Sequence, residues 1–344
     1  MNYDKNDLTV QIKQWGKELG FQQVGISGTD LGEANERLKA WLQKGYHADM
    51  HYLERNETLR STPKNLVNET ISIISVRLDY LSSENSKHIS RYAVGRDYHK
   101  VVRKKLKHLA QRIEKEIGPF ISRPFADSAP VFEKPIAEQA GIGWMGKNTL
   151  IINRNAGSYF FLGELYTNLD LTKDKPTSNH CGACTACIDL CPTKALKGPY
   201  QLDANLCISY LTIENKGSIP VKLRPLLGDR IFGCDECQSV CPWNKFAKMT
   251  TESDFTPRHN LDTVDLVELF NWSEAEYLKK TEGSALRRSG YIGWLRNIAV
   301  ALGNATTSKK VIDSLLAKKN FPSALVQEHV DWALTQHHTK QHQN

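Results

Sequence analysis

Two periods of apolar residues alternate along the first 175 positions. In NDLTVQIKQWGKELG (6–20) apolar side chains at 8, 10, 12, 15 and 19 predict an amphipathic helix capped near Asn6 or Asp7. FQQVGIS (21–27) and TISIISVRLDY (70–80) read as strands. From His99 to Ile117 the pattern is helical again, with Val101, Val102, Leu106, Leu109 and Ile113 on the buried side of a basic helix. EKPIAEQA (133–140) reads as a helix, and 149–169 as a β-hairpin turning near Gly157. After about residue 255, VDLVELFNW, ALRRSGYIGWLRNIAVALGNA and KVIDSLLAKK are helical patterns joined by short polar links. They could stack as a repeat, although one copy does not establish repetition. The expected fold class is α+β: an α/β domain over 1–175, a cysteine-rich domain over 176–250, a HEAT-like helical domain over 251–335 and a disordered tail over 336–344.

Residues 140–150, AGIGWMGKNTL, contain G-x-G-x-x-G and nearly a phosphate-binding P-loop. A phosphate site needs a strand before the glycines and a helix after them, so that helix amides meet the anion. Here the order is reversed, and Asn148 replaces the hydroxyl that would hold Mg²⁺. Gly141 reads instead as a helix C-cap.

The chain has 344 residues, enough for two or three domains, and its 40% hydrophobic content is that of a globular protein. No run approaches the ~20 apolar residues of a membrane span. MNYDKNDLTV lacks the plan of a secretory signal, so a cytoplasmic protein without membrane contact is expected. The net charge of +7 is concentrated in two places: Lys279–Lys319, with nine Lys/Arg, and Arg96–Lys115, with RKKLK at 103–107. Such runs are either solvated helix faces or sites for a polyanion, and the sequence leaves both open.

All eight cysteines lie between Cys181 and Cys241. Cys181, Cys184, Cys187 and Cys191 followed by Pro192 have the C-x2-C-x2-C-x3-C-P spacing of bacterial ferredoxins. Cys207 and then Cys234, Cys237, Cys241 and Pro242 form a second group split by an insertion. Two-residue gaps wrap three thiolates round one cube, and the fourth cysteine of each run reaches the other. This assigns one [4Fe-4S] cluster to Cys181, Cys184, Cys187 and Cys241, and a second to Cys191, Cys207, Cys234 and Cys237. Zinc sites rarely crowd three thiolates in this way, and disulfides do not suit a cytoplasmic chain. The pattern is an electron relay.

With the cysteines placed, the chain resembles the epoxyqueuosine reductase family over nearly its full length. The resemblance rests on SRYAVGRDYHK (90–100), FADSAPVFEKPIAEQAGIGWMGKNTLIIN (125–153), GSYFFLGELYTNL (157–169), both cysteine runs and LRNIAVALGN (295–304). It implies an oxidoreductase that reduces epoxyqueuosine at the tRNA wobble position to queuosine. It also implies cobalamin on the first domain, whose cob(I) state is nucleophilic enough to open an epoxide, fed one electron at a time by the clusters.

By the same resemblance Asp127 matches the catalytic acid, a role it could fill if burial against the corrin raises its pKa towards neutrality. Ile151, Leu162 and Phe132 would line the corrin, Ser90 and Arg60 its polar periphery, with Lys147 and Ser209 as further contacts. Asp97-Tyr98-His99 begins like a motif that supplies cobalt with a histidine, but Val102 stands where that motif needs Gly. The family binds cobalamin without a protein lower ligand, so His99 is not assigned to the metal. The implied partners are the anticodon stem-loop of tRNA, held through the basic stretches, and a low-potential donor such as ferredoxin or flavodoxin. A monomer is expected. Two rivals share features: a reductive dehalogenase, which also pairs cobalamin with two clusters, and a plain ferredoxin-type electron carrier. The first is typically exported by a twin-arginine signal absent here, and the second has no use for the 175 residues before the cysteines.

Overall fold

A computed structural model describes residues 3–82 and 87–341. Four strands form the main sheet: β1 (Gln23–Ser27), β2 (Ser72–Asp79), β3 (Ser122–Phe125) and, after two short strands, β6 (Phe160–Thr167). The order is β1-β2-β6-β3 and every pairing is antiparallel, with Val24 opposite Val76 and Ser75 opposite Glu164. The expected α/β domain is therefore an antiparallel sheet covered by helices on both faces.

One face takes the helices Lys5–Glu18 and Tyr98–Ile117. Leu8, Ile12, Val102, Leu106 and Ile113 pack there on Ile74, Val76, Leu78 and Leu165, each buried aliphatic stabilising by roughly 1.5–3 kcal/mol. The five positions expected inside on the basic helix are the five buried ones. Gly163 lets this helix approach, since a Cβ there would sit 2.4 Å from Val102 Cγ1. The first helix starts slightly earlier than its pattern suggested, because the Asp4 carboxylate caps the amides of Asn6 and Asp7 at 2.8 and 2.9 Å. On the opposite face Ile73, Phe125 and Tyr166 meet Ile136 of the helix Glu133–Gln139.

The hairpin expected over 149–169 is not formed. β5 (Ile151–Ile152) pairs with β4 (Trp144–Met145), while β6 crosses the main sheet. Asn153–Gly157 closes only an isolated bridge, so the turn at Gly157 separates two sheets. Gly141 does cap its helix, at φ +69°, with the Ile142 amide returning to Ala137 O at 2.9 Å.

The segment between Cys207 and Cys234 joins the C-terminal helices rather than the cluster loops. Ile208, Leu211, Ile219, Leu223 and Leu227 form one core with Val300. The helix Gly290–Asn304 is buried along most of its length. Arg296, fully buried, donates to the carbonyls of Leu211, Asn215 and Gly217, and Asn297 donates to those of Thr212 and Ile231. Arg296 is thus removed from the set of basic residues that could meet a polyanion. The tail expected to be disordered from 336 is also corrected: Ala324–Gln341 is one helix, and His337 is buried with Nε2 2.9 Å from Leu302 O. Burial of a residue the pattern marked as polar holds those last turns. Residues 342–344 lie outside the described part.

Candidate active site and cluster-binding loops

Asp127 leaves the end of β3 with φ +55°, a left-handed conformation that costs a non-glycine residue energy and marks functional loops. Three contacts hold it. Its amide donates to the Glu133 carboxylate, its carboxylate accepts from the Tyr98 hydroxyl, and its Oδ2 lies 3.2 Å from His99 Nε2. Tyr98 and His99 open the helix Tyr98–Ile117, whose N-cap, Asp97, takes the other imidazole nitrogen at 2.7 Å. Both nitrogens of His99 are therefore committed to carboxylates.

The side chain of Asp127 is 58% exposed, yet burial is the largest influence on its charge: it stands on the wall of an open recess. Burial pushes its carboxyl up, but the hydrogen bonds from His99 and Tyr98 and the imidazolium charge outweigh this and hold it below the ordinary value. In the chain by itself these two donors keep Asp127 ionised. The proton sits next door. Burial alone would lower His99, but bonds to Asp127 and Asp97 carry it to about 9, so it is an imidazolium at neutral pH. Behind Asp127, burial and then the Asp127 charge push Glu133 up to about 7. Glu164, fully buried on β6, is driven well above the carboxylate range by burial and by Glu133.

Arg60 lies within electrostatic reach of Asp127. It is buried, its charge is felt by Tyr52, Glu133, Asp127 and Tyr166, and its Nε has no hydrogen-bond partner among the described residues. Ile151 and Leu162 meet in one apolar cluster with Met145 and Phe160, whereas Phe132 packs with the Ile73–Ile136 core. The remaining expected contacts lie on the cysteine loops. Ser90 gives its hydroxyl to Asp235, and Ser209 bonds Cys207. Lys147 donates to the carbonyls of Gly182 and Cys184 at 2.7 and 2.9 Å, while the next residue, Asn148, donates to Cys237 O at 3.0 Å. The AGIGWMGKNTL turn therefore clasps both cysteine loops. Sequence reasoning missed Glu133, Glu164 and Tyr98. A Glu in the middle of the apolar strand FFLGELYT was the available signal.

None of the eight thiols is in a disulfide. Burial raises each shifted thiol, and mutual repulsion then sorts them. Cys187 is pushed by Cys241, Cys181 and Cys184, and Cys241 by Cys181 and Cys184. Cys207 is pushed by Cys191, Cys234 by Cys207, and Cys237 by Cys207 and Cys234. These are the two sets of four read from spacing. Crowded thiols that repel one another are relieved as thiolates around a cation, which suits iron–sulfur ligation. Cys237 also feels Cys187, so the two sets adjoin. Lys134 feels Asp127 and Glu133 as well as Cys237 and Cys207. The set containing Cys207 thus borders the recess, while the other set includes the exposed Cys184.

A recess with an ionised Asp127 beside a protonated histidine, next to two sets of four thiols, is the site of an iron–sulfur oxidoreductase. Known proteins agree. A family model for a 4Fe-4S double cluster binding domain matches residues 180–244, and one for epoxyqueuosine reductase QueG (DUF1730) matches 60–128. Epoxyqueuosine reductase of Pseudomonas aeruginosa is 57% identical over 97% of this chain and 96% of its own. Two solved structures, each 29% identical, cover 96% of this chain and 90% of their own. One is an epoxyqueuosine reductase with an epoxyqueuosine-modified tRNA-Tyr stem loop (TM-score 0.90), and the other is the Bacillus subtilis enzyme with an aspartate catalytic loop swung out of the active site (TM-score 0.89). The chain belongs to the epoxyqueuosine reductase family. Among the described residues no helix is long and apolar enough to cross a membrane.

Proposed function

We propose that this protein reduces the epoxide of epoxyqueuosine in tRNA to the alkene of queuosine. Two electrons and two protons enter, and one water leaves. The observation that carries this reading is the Asp127 loop, held in a left-handed conformation, hydrogen-bonded by Tyr98 and set 3.2 Å from the protonated His99, with Lys134 in electrostatic reach of both Asp127 and the Cys207 thiol set. The set around Cys181 and the set around Cys207 would each hold a [4Fe-4S] cluster, which would supply these electrons one at a time.

Cobalamin suits the recess on chemical grounds. The buried Arg60 offers an unpartnered Nε to a polar group of the cofactor, and Ile151 and Leu162 offer an apolar wall to its ring. When bound, it supplies a strongly nucleophilic low-valent cobalt centre. The protein's own residues handle the proton. Asp127, ionised in the resting site, receives a proton from the His99 imidazolium 3.2 Å away and delivers it to the departing epoxide oxygen. Tyr98 keeps the carboxylate in place through that transfer, and Asp97 holds the imidazole in line.

The tRNA reading is supported by exposed cations around the recess. Arg103 reaches Ser128 beside Asp127, and Arg288 lies within electrostatic range of Asp127 while paired to Glu214. With Lys100, also exposed and near Asp97, they can meet phosphates of a stem-loop whose modified base enters the recess. The test is to incubate reduced, cobalamin-loaded protein with epoxyqueuosine-containing tRNA and to analyse the nucleosides by mass spectrometry. Loss of one oxygen mass is expected, and no such loss would overturn the reading.

A further inference from the structure

The relay needs an entrance, and the fold leaves one side of it open. The thiols Cys181, Cys184, Cys187 and Cys241 lie in a surface recess of about 600 Å³. Its walls are Trp243 and Phe246, with Lys147, Arg154 and Lys245 as cations and no carboxylate. Phe246 is 41% exposed, and Lys245 stands 4.9 Å over its ring. Lys147 is spent on the loop carbonyls, but Arg154 and Lys245 are exposed and form no ion pair among the described residues. Exposed Arg154 and Lys245 beside the aromatic Trp243 and Phe246, at the mouth of the cavity that holds the cluster thiols, are the complement of an acidic surface with a central redox group. The Cys207 set, by contrast, shares the electrostatic surroundings of Lys134 with Asp127 and Glu133.

We infer that the face formed by Arg154, Trp243, Lys245 and Phe246 docks a small acidic protein that carries one electron at low potential. Each encounter oxidises the carrier by one electron and reduces the double-cluster domain by one. Two encounters supply the pair that the epoxide consumes, with the protons drawn from solvent. The inference rests on the electron relay of the proposed function, and it adds where the electrons enter and by what kind of surface.

The test compares two reductants on the iron–sulfur holoenzyme. Anaerobic stopped-flow follows bleaching of cluster absorbance with flavodoxin hydroquinone and, separately, with dithionite. In the Arg154→Glu/Lys245→Glu double variant the second-order rate with flavodoxin should fall by about tenfold or more at low salt. Its salt dependence should weaken, while the dithionite rate and the affinity for a tRNA stem-loop stay unchanged. Arg154→Lys should retain the wild-type flavodoxin rate. An unchanged flavodoxin rate in the double variant would overturn the inference. So would equal slowing with dithionite, which would mean a damaged cluster loop, or a loss of tRNA affinity alone, which would make this face an RNA grip. Absence of any cluster bleaching in the wild type would count instead against the relay.

Discussion

Replacing Asp127 with Asn should move the titration of His99 by a predictable amount. In the native site His99 rises from 6.5 to about 9 despite its burial, a difference worth about 3 kcal/mol. Two carboxylates carry it. Asp97 is nearer, at 2.7 Å and 21% exposed, while Asp127 is at 3.2 Å and 58% exposed. Because the carboxylates also offset burial, an even split of this net value assigns Asp127 at least about 1.5 kcal/mol, which solvent screening of so exposed a group reduces to about 1 kcal/mol. His99 in Asp127→Asn should therefore titrate near ~8. The sign for stability follows from linkage. A histidine whose folded value is raised stabilises fully below its unfolded value of 6.5 and loses that contribution as pH rises through about 9. In the variant the contribution is smaller and disappears earlier. Imidazole proton NMR between pH 5.5 and 10, with His99→Gln identifying the resonance, reads the first effect. Urea unfolding across the same range reads the second. A wild-type His99 titrating near 6.5, or one that Asp127→Asn does not move, would refute the charge coupling.

Other perturbations separate catalysis, cluster binding and folding. Asp127→Asn should lower turnover on epoxyqueuosine-tRNA by about 100-fold or more with iron content unchanged, because the loop touches no cysteine ligand; iron analysis beside single-turnover kinetics checks this. Cys207→Ser should remove the cluster nearest the recess and leave roughly half the iron, measured in anaerobically purified protein. Arg296→Met should strand the carbonyls of Leu211, Asn215 and Gly217 and cost about 3 kcal/mol in urea unfolding. Gly163→Ala should place a methyl group against Val102 and destabilise the first domain by about 1–3 kcal/mol, read as a lower midpoint without loss of iron.

The sequence by itself determined whatever depends on near neighbours in the chain. Burial of Val101, Val102, Leu106, Leu109 and Ile113 follows from a 3.6-residue period that a helix must satisfy locally. Gly141 as a helix cap follows from backbone freedom, and the sorting of eight cysteines into two fours follows from how far short loops reach around a cube. Tertiary structure decided what distant segments share. β6 leaves the expected hairpin because pairing with β2 buries eight residues in a long central strand, which a local partner of two residues cannot offer. Lys147 and Asn148 turn to the cysteine loops because those loops present carbonyls more than 30 positions away. Asp127 was legible as a candidate, but its charge was not. Only the fold brings Tyr98 and His99 from a separate helix to hold the carboxylate ionised and store the proton beside it.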